Sequence, residues 1–320
     1  MTGPGNTVAV IGLGVMGAPM AANLIDRGYD VVGFNRSPEK VETHVARGGR
    51  GASSIAEAVE GADVVLTVLP DTPDVELVVA GEDGVFAHAK PGALWIDSST
   101  IRPDASIQLA SIGRANGIRA LDAPVSGGEV GAVEGTLSVM VGGDGADFEA
   151  AKPLLNALGS TIVHVGPSGA GQVVKAANQL LVAGTLELVA EALVFLDAQG
   201  VDAEAAVKVL SGGLAGSRIL ELKAANMLAG HYVPGFRVDL HHKDLGIVTE
   251  TARDAGVAIP LGAMAAQLMG VLRAQGNGSL DHSALHMLIE TLSGRRPSAV
   301  VNGNRTDAQR PLPARDGGTK

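Results

Sequence analysis

The chain has 320 residues, 46% hydrophobic and 18% charged, with a net charge of −10, 44 glycines and no cysteine. That length supports two domains with a substantial core, and a glycine content about twice the usual reads as a globular α/β protein rich in tight turns. The acidic balance excludes nucleic acid or an anionic membrane surface as expected partners, while leaving room for a local cationic pocket; the missing cysteines exclude disulfides, thiolate catalysis and cysteine-ligated metal.

The first six residues are polar and glycine-containing, without the basic flank and apolar core of a secretory signal, so a cytoplasmic location is expected. A β-branched run, Val8 to Gly12, opens the ordered part and leads into Gly12-Leu13-Gly14-Val15-Met16-Gly17, with a helix-like stretch from Ala18 to Asp26 behind it. This strand–Gly-x-Gly-x-x-Gly–helix context is that of a dinucleotide site. Gly12 permits the tight turn, Gly14 lets a pyrophosphate approach the backbone, Gly17 lets helix and strand pack, and the helix start offers free N–H groups. The next strand, Val31 to Phe34, ends at Asn35-Arg36-Ser37. An acidic residue there would hold a free 2′-hydroxyl. Asn35 repels nothing, Arg36 can pair with a 2′-phosphate and Ser37 adds a hydroxyl, which favours NADP(H) over NAD(H). The alternative is that Arg36 is an ordinary surface arginine.

Further strands are expected at 64–69, 94–97, 120–122, 138–142 and 161–165, alternating with helical spacing such as Ile55 to Val59. Fully apolar strands alternating with helices predict a mostly parallel, doubly covered sheet, with later strands antiparallel around a turn at 134–136. At 166–171 the pattern changes. Helices are expected over 172–199, 203–211, 217–227, 238–255, 259–275 and 283–292. The fold class is therefore α/β, a Rossmann-type doubly wound sheet (residues 1–165) joined by a long helix to an all-α domain (166–295). Residues 296–320, rich in Pro, Gly, Asn and Arg, are expected to form a disordered tail. The apolar segment Val173 to Leu196 is interrupted by Lys175, Asn178, Gln179, Glu187 and Glu191; it reads as a buried helix rather than a membrane span. It is more apolar than one small domain easily covers, so packing against a second subunit fits it.

Ligands of such sheets bind beyond the carboxyl ends of the strands, which puts the active site in the cleft between the halves. Three segments there carry unusual residues. Leu121-Asp122-Ala123-Pro124-Val125-Ser126-Gly127-Gly128 offers a hydroxyl and backbone N–H groups for a small anion, or else simply closes a strand. Lys175 and Asn178 share one face of an otherwise apolar helix. Lys175 there can protonate an oxygen gaining charge while Asn178 donates a hydrogen bond, or it snorkels to the surface. The run 234–244 carries Lys243 and Asp244, able to reach the cofactor or order the cleft. Adjacent His241 and His242 point different ways on a helix, and no metal is expected. His44, His164, His231, His282 and His286 read as surface or core residues.

Together these segments resemble the β-hydroxyacid dehydrogenase family, which includes 3-hydroxyisobutyrate dehydrogenase and tartronate semialdehyde reductase. The likeness lies in Gly12 to Met20, Asp122 to Gly128, Gly169-Ala170-Gly171 through Lys175 and Asn178, and Lys243-Asp244. By that resemblance Lys175 is the catalytic acid, supported by Asn178, and Ser126, Gly127 and Gly128 bind a substrate carboxylate. Leu69, Pro70, Thr100, Phe236 and Lys243 would face the cofactor. Segments 212–217, 235–241 and 281–285 look most like the tartronate semialdehyde reductase branch, although Asn35 departs from the Asp often found there. The implied reaction is NAD(P)H-dependent reduction of that semialdehyde to D-glycerate by a homodimer or homotetramer. Oxidation of 3-hydroxyisobutyrate, or reduction of glyoxylate or succinic semialdehyde, would use the same residues. A non-catalytic NADP-binding module is the alternative of another class, against which Lys175 speaks.

Overall fold

A computed structural model describes residues 2–297. Beyond Pro297, the expected tail lies outside the described residues. The strands are β1 (Thr7–Ile11), β2 (Asp30–Phe34), β3 (Arg50–Gly51), β4 (Val64–Thr67), β5 (Leu94–Asp97), β6 (Arg119–Asp122), β7 (Val125–Ser126), β8 (Leu137–Gly143) and β9 (Gly159–Gly166). They form one sheet in the order β3-β2-β1-β4-β5-β6-β8-β7, with β9 also paired to β8. Pairing is parallel from β3 to β6; β8 then runs antiparallel to β6 and β7 and parallel to β9.

The apolar strands follow from burial on both faces. Alternate side chains point to opposite sides, so Val8, Val10, Leu66 and Ile96 join one core while Ala9, Ile11, Val65 and Trp95 join the other. Sequence patterning misses β3 and β7, because two residues are too short to show any period. The turn expected at 134–136 is the end of a short helix, Gly128–Glu134, closed by Gly135 in the left-handed conformation.

The second half is helical around the long helix Ala170–Ala198. This helix packs against helices Arg218–Leu228, Val238–Asp254, Pro260–Leu272 and Leu285–Leu292. Leu186, Leu193, Tyr232, Leu245, Met269 and Leu288 fill the core between them. Two expected helices are shorter than their patterns. The 259–275 stretch stops at Leu272 and passes into a π turn, where Gly276 takes φ +85°. A 3₁₀ turn, His282–Ala284, precedes the last helix.

By length and composition the long helix could cross a bilayer, but it serves as the hub of the helical half. It is not buried all round within one chain. Leu181, Leu188 and Phe195, seven residues apart, stay 71%, 59% and 64% exposed.

Candidate active site

Sites on a doubly wound sheet gather where the strand order reverses, here between β1 and β4. Gly12 turns the chain there with φ +104°, and a Cβ on it would lie 2.3 Å from the Val68 carbonyl. A Cβ on Gly17 would lie 1.8 Å from the Gly12 carbonyl, so only glycine lets the helix start this close to the strand. A Cβ on Gly14 would meet nothing within 4 Å: that face of the loop is open. Helix Gly17–Asp26 has no side-chain cap, and although the Ala18 N–H turns back to the Gly14 carbonyl at 3.0 Å, the positive end of its dipole faces the open side of the loop. This turn fits a dinucleotide pyrophosphate. Val15 stands exposed at its tip and Met16 is half-buried.

Asn35 follows β2, and its Oδ1 accepts a hydrogen bond from the Leu13 N–H at 3.1 Å. It therefore braces the glycine loop as well as leaving the ribose position uncharged. Arg36 is 83% exposed on its side chain and lies 3.9 Å from Asp74, with half-buried Ser37 beside it. Leu69 and Pro70 follow β4, where the Leu69 N–H donates to Ser99 Oγ at 2.9 Å.

The helical half supplies the lysines. Lys175 is 7% exposed, and its Nζ donates to the Val125 carbonyl at 2.8 Å. Burial pulls its pKa down to about 8, with Asp244 acting to raise it and Lys243 to lower it further. The carbonyl it meets belongs to β7, next to Ser126, Gly127 and Gly128. These two glycines take φ +138° and +64°, which turns backbone outward at the start of helix Gly128–Glu134. Lys175 is thus buried rather than snorkelling, and stands beside the turn at Ser126, Gly127 and Gly128.

A polar chain runs through the interface of the two halves. Asn178 Nδ2 donates to Gln179 Oε1 at 2.7 Å, and Gln179 Nε2 donates to Asp244 Oδ2 at 2.6 Å. Asp244 pairs with Lys243 at 2.8 Å, and Lys243 Nζ donates to the Thr100 carbonyl at 2.6 Å. Lys243 and Thr100, far apart in sequence, therefore meet. Phe236 packs its ring on His241 and His282, with centroids 5.5 and 5.4 Å away, inside the helical half.

Several participants carried no role in the sequence reading. Gln172 donates to the Ser99 carbonyl at 2.9 Å and accepts from the Ile101 N–H at 3.2 Å. Gln172, Lys175 and Gln179 fall at i, i+3 and i+7, a polar stripe on an apolar helix that spacing alone could have flagged. His241 Nδ1 lies 3.0 Å from His282 Nδ1, a contact that no local spacing reveals. Among the described residues no three His, Asp or Glu converge as a metal-ligand set.

Residues 7–166 match the family described as the NAD binding domain of 6-phosphogluconate dehydrogenase. Residues 169–289 match that described as NAD-binding of NADP-dependent 3-hydroxyisobutyrate dehydrogenase. The chain is 40% identical to the 2-hydroxy-3-oxopropionate reductase of Escherichia coli over 286 residues, 89% of this chain and 98% of that one. It is 39% identical to the NAD-dependent L-serine dehydrogenase of Pseudomonas aeruginosa over 295 residues, 90% of this chain and 99% of that one. The solved structure of Mycobacterium tuberculosis 3-hydroxyisobutyrate dehydrogenase with L-serine superposes with a TM-score of 0.81 at 35% identity, covering 89% of this chain and 99% of that one.

The histidine pair has a consequence for stability. Burial holds the His241 imidazole down at about 4, against an opposing pull from Asp244, and His282 moves the same way. Above pH 6.5 His241 is neutral folded or unfolded and contributes nothing. Between 6.5 and about 4 only the unfolded chain takes the proton, so this contribution falls as the pH falls. Asp97 and Glu187, raised by burial to about 6 and about 7, push the other way. The readout is therefore the difference in urea-unfolding stability between wild type and His241→Gln. That difference should move against the wild type from pH 7 to 4.5; a constant difference would place the acid sensitivity elsewhere.

Proposed function

This chain belongs to the β-hydroxyacid dehydrogenase family, and from that premise we propose that it reduces tartronate semialdehyde (2-hydroxy-3-oxopropanoate) to D-glycerate, with NADP(H) preferred over NAD(H). It is an NAD(P)-dependent oxidoreductase of small hydroxy acids. One observation carries the mechanism: the Lys175 ammonium is buried on a carbonyl of the strand that ends in the anion nest.

In this reading the loop from Gly12 to Gly17 holds the pyrophosphate, with Asn35, Arg36 and Ser37 at the adenosine ribose. Leu69, Pro70, Thr100, Phe236 and Lys243 line the rest. When bound, the reduced nicotinamide supplies the hydride that becomes the new C–H bond of the product. Backbone N–H groups around Ser126, Gly127 and Gly128 hold the substrate carboxylate. The aldehyde π bond opens and charge gathers on its oxygen. Lys175 stabilises that charge with its own and then gives up its proton to complete the hydroxyl, an effect strongest where water is scarce. Asn178, its amide oriented by Gln179, donates a hydrogen bond to the substrate.

The choice of substrate is supported by the Escherichia coli reductase, which is matched over nearly its whole length. Oxidation of a 3-hydroxy acid such as 3-hydroxyisobutyrate or serine is the second reading, favoured by the other two relatives. The exposed stripe of Leu181, Leu188 and Phe195 supports assembly as a homodimer or homotetramer.

Lys175→Ala should lower kcat at least about a hundredfold while NADPH binding persists; near-normal turnover would sink the acid assignment. Reduction needs a protonated Nζ, so kcat for the aldehyde should hold below about 8 and fall above it, with alcohol oxidation rising through the same pH. Rates of NADPH and NADH consumption with tartronate semialdehyde, succinic semialdehyde and glyoxylate, beside 3-hydroxyisobutyrate and serine oxidation, decide the substrate. In the same assay Arg36→Ala should raise the KM for NADPH about tenfold and leave that for NADH unchanged; equal effects would remove Arg36 from the phosphate. Light scattering should give a dimer or tetramer that Leu188→Glu dissociates, and a monomeric wild type would overturn the assembly.

A further inference from the structure

Asp122 ends β6 at 4% exposure, and its two oxygens are used separately. Oδ1 accepts from the Gly169 N–H at 2.7 Å and Oδ2 from the Gln172 N–H at 3.0 Å. The long helix has no cap of its own, because Gly169 occupies that position with φ +89°. A carboxylate from a different part of the chain therefore does the capping. Three residues after Asp122, the Val125 carbonyl takes the Lys175 ammonium. Positions 169, 172 and 175 lie on one face of the helix, and all three are tied to the segment 122–125. That segment continues directly into Ser126, Gly127 and Gly128.

The surrounding backbone is built around this carboxylate. A Cβ on Gly142 would come within 2.6 Å of Asp122 Oδ1. One on Gly171 would come within 2.7 Å of Oδ2 and 2.3 Å of the Met140 carbonyl. Both glycines let main chain close on the acid, which leaves no slack for a longer side chain. Two oxygens gripping two points of the first helical turn set the height of the helix and also its rotation.

We propose that Asp122 is a positioning residue of the active site, holding the start of the long helix in the register that places Lys175 Nζ beside the anion nest. The proposal rests on the reading of Lys175 as the acid. Acid catalysis is steep in distance, and a misplacement of about 1 Å can cost about a hundredfold. Asp122 reaches the reaction only through the helix it anchors.

Asp122→Asn keeps the shape but sets an NH₂ group against a backbone N–H. In that variant kcat should fall about a hundredfold with the NADPH Kd unchanged. The pH above which reduction falls should also move upward, because a loosened Lys175 is better hydrated while Asp244 and Lys243 still face it. The double variant with Lys175→Ala should be no slower than Lys175→Ala alone, since both changes act on one proton transfer. Should the Asn protein not fold, Asp122→Ser removes the clash of donors and carries the same three readouts. Unchanged kcat in the Asp122 variant, or additive losses in the double variant, would overturn the proposal while leaving the lysine in place. Full turnover by Lys175→Ala would instead overturn the acid assignment, and the proposal with it.

Discussion

Taking an ammonium out of water costs several kcal/mol unless its protons find acceptors and its charge finds a counter-charge. Lys175 lies almost wholly out of water with one carbonyl acceptor, at Val125, and Asp244 as the anion acting on it. Everything else around the cleft bears on keeping that arrangement. Asp244 is itself buried and held by Gln179 and Lys243, so the counter-charge cannot swing away to solvent. The result is an amine pulled down to about 8, close to neutral pH while remaining a cation there.

The division of labour between the halves follows from what each can offer. A parallel sheet ends in a row of loops with backbone N–H groups facing outward, good for anions and poor for supplying a dry proton donor. A helix packed into an apolar bundle can hold a lysine dry but offers few free N–H groups. The proposed reaction needs both, and the two meet where the long helix leaves the sheet. Gln172 and Lys243 tie the loop after β5 to the helical half from two helices, at Ser99, Ile101 and Thr100. The two halves are therefore bonded to one another across the joint.

The glycines at the two candidate anion sites serve different ends. At Gly12 and Gly17 the constraint is crowding, since any Cβ would strike a carbonyl; at Gly14 it is openness toward the ligand side. Gly127 and Gly128 act through backbone conformation, with positive φ at both. Near Asp122 the glycines make room for a charged group that belongs to the protein itself. Similar residues thus create a turn, a vacant face, a nest and a socket, and the neighbours decide which.

The sequence by itself determined the parts whose signals are local. Apolar strands alternating with helical spacing, the glycine fingerprint with its flanking strand and helix, and the pairing of Lys175 with an apolar helix face all depend on residues within a turn or two of each other. Legible in that way were the sheet, the all-helical second half and most of the residues proposed for the site. Only the tertiary structure decided which distant residues meet: Asp122 on the start of the long helix, Lys243 on Thr100, Gln179 on Asp244, His241 on His282, and Asn35 on the glycine loop. It also decided that Arg36 stands in solvent and that Leu181, Leu188 and Phe195 remain uncovered. The physical reason is range. Backbone periodicity and steric rules act over a few residues and leave a pattern in the sequence, whereas the partner of a buried polar group is chosen by packing between segments that share no pattern at all.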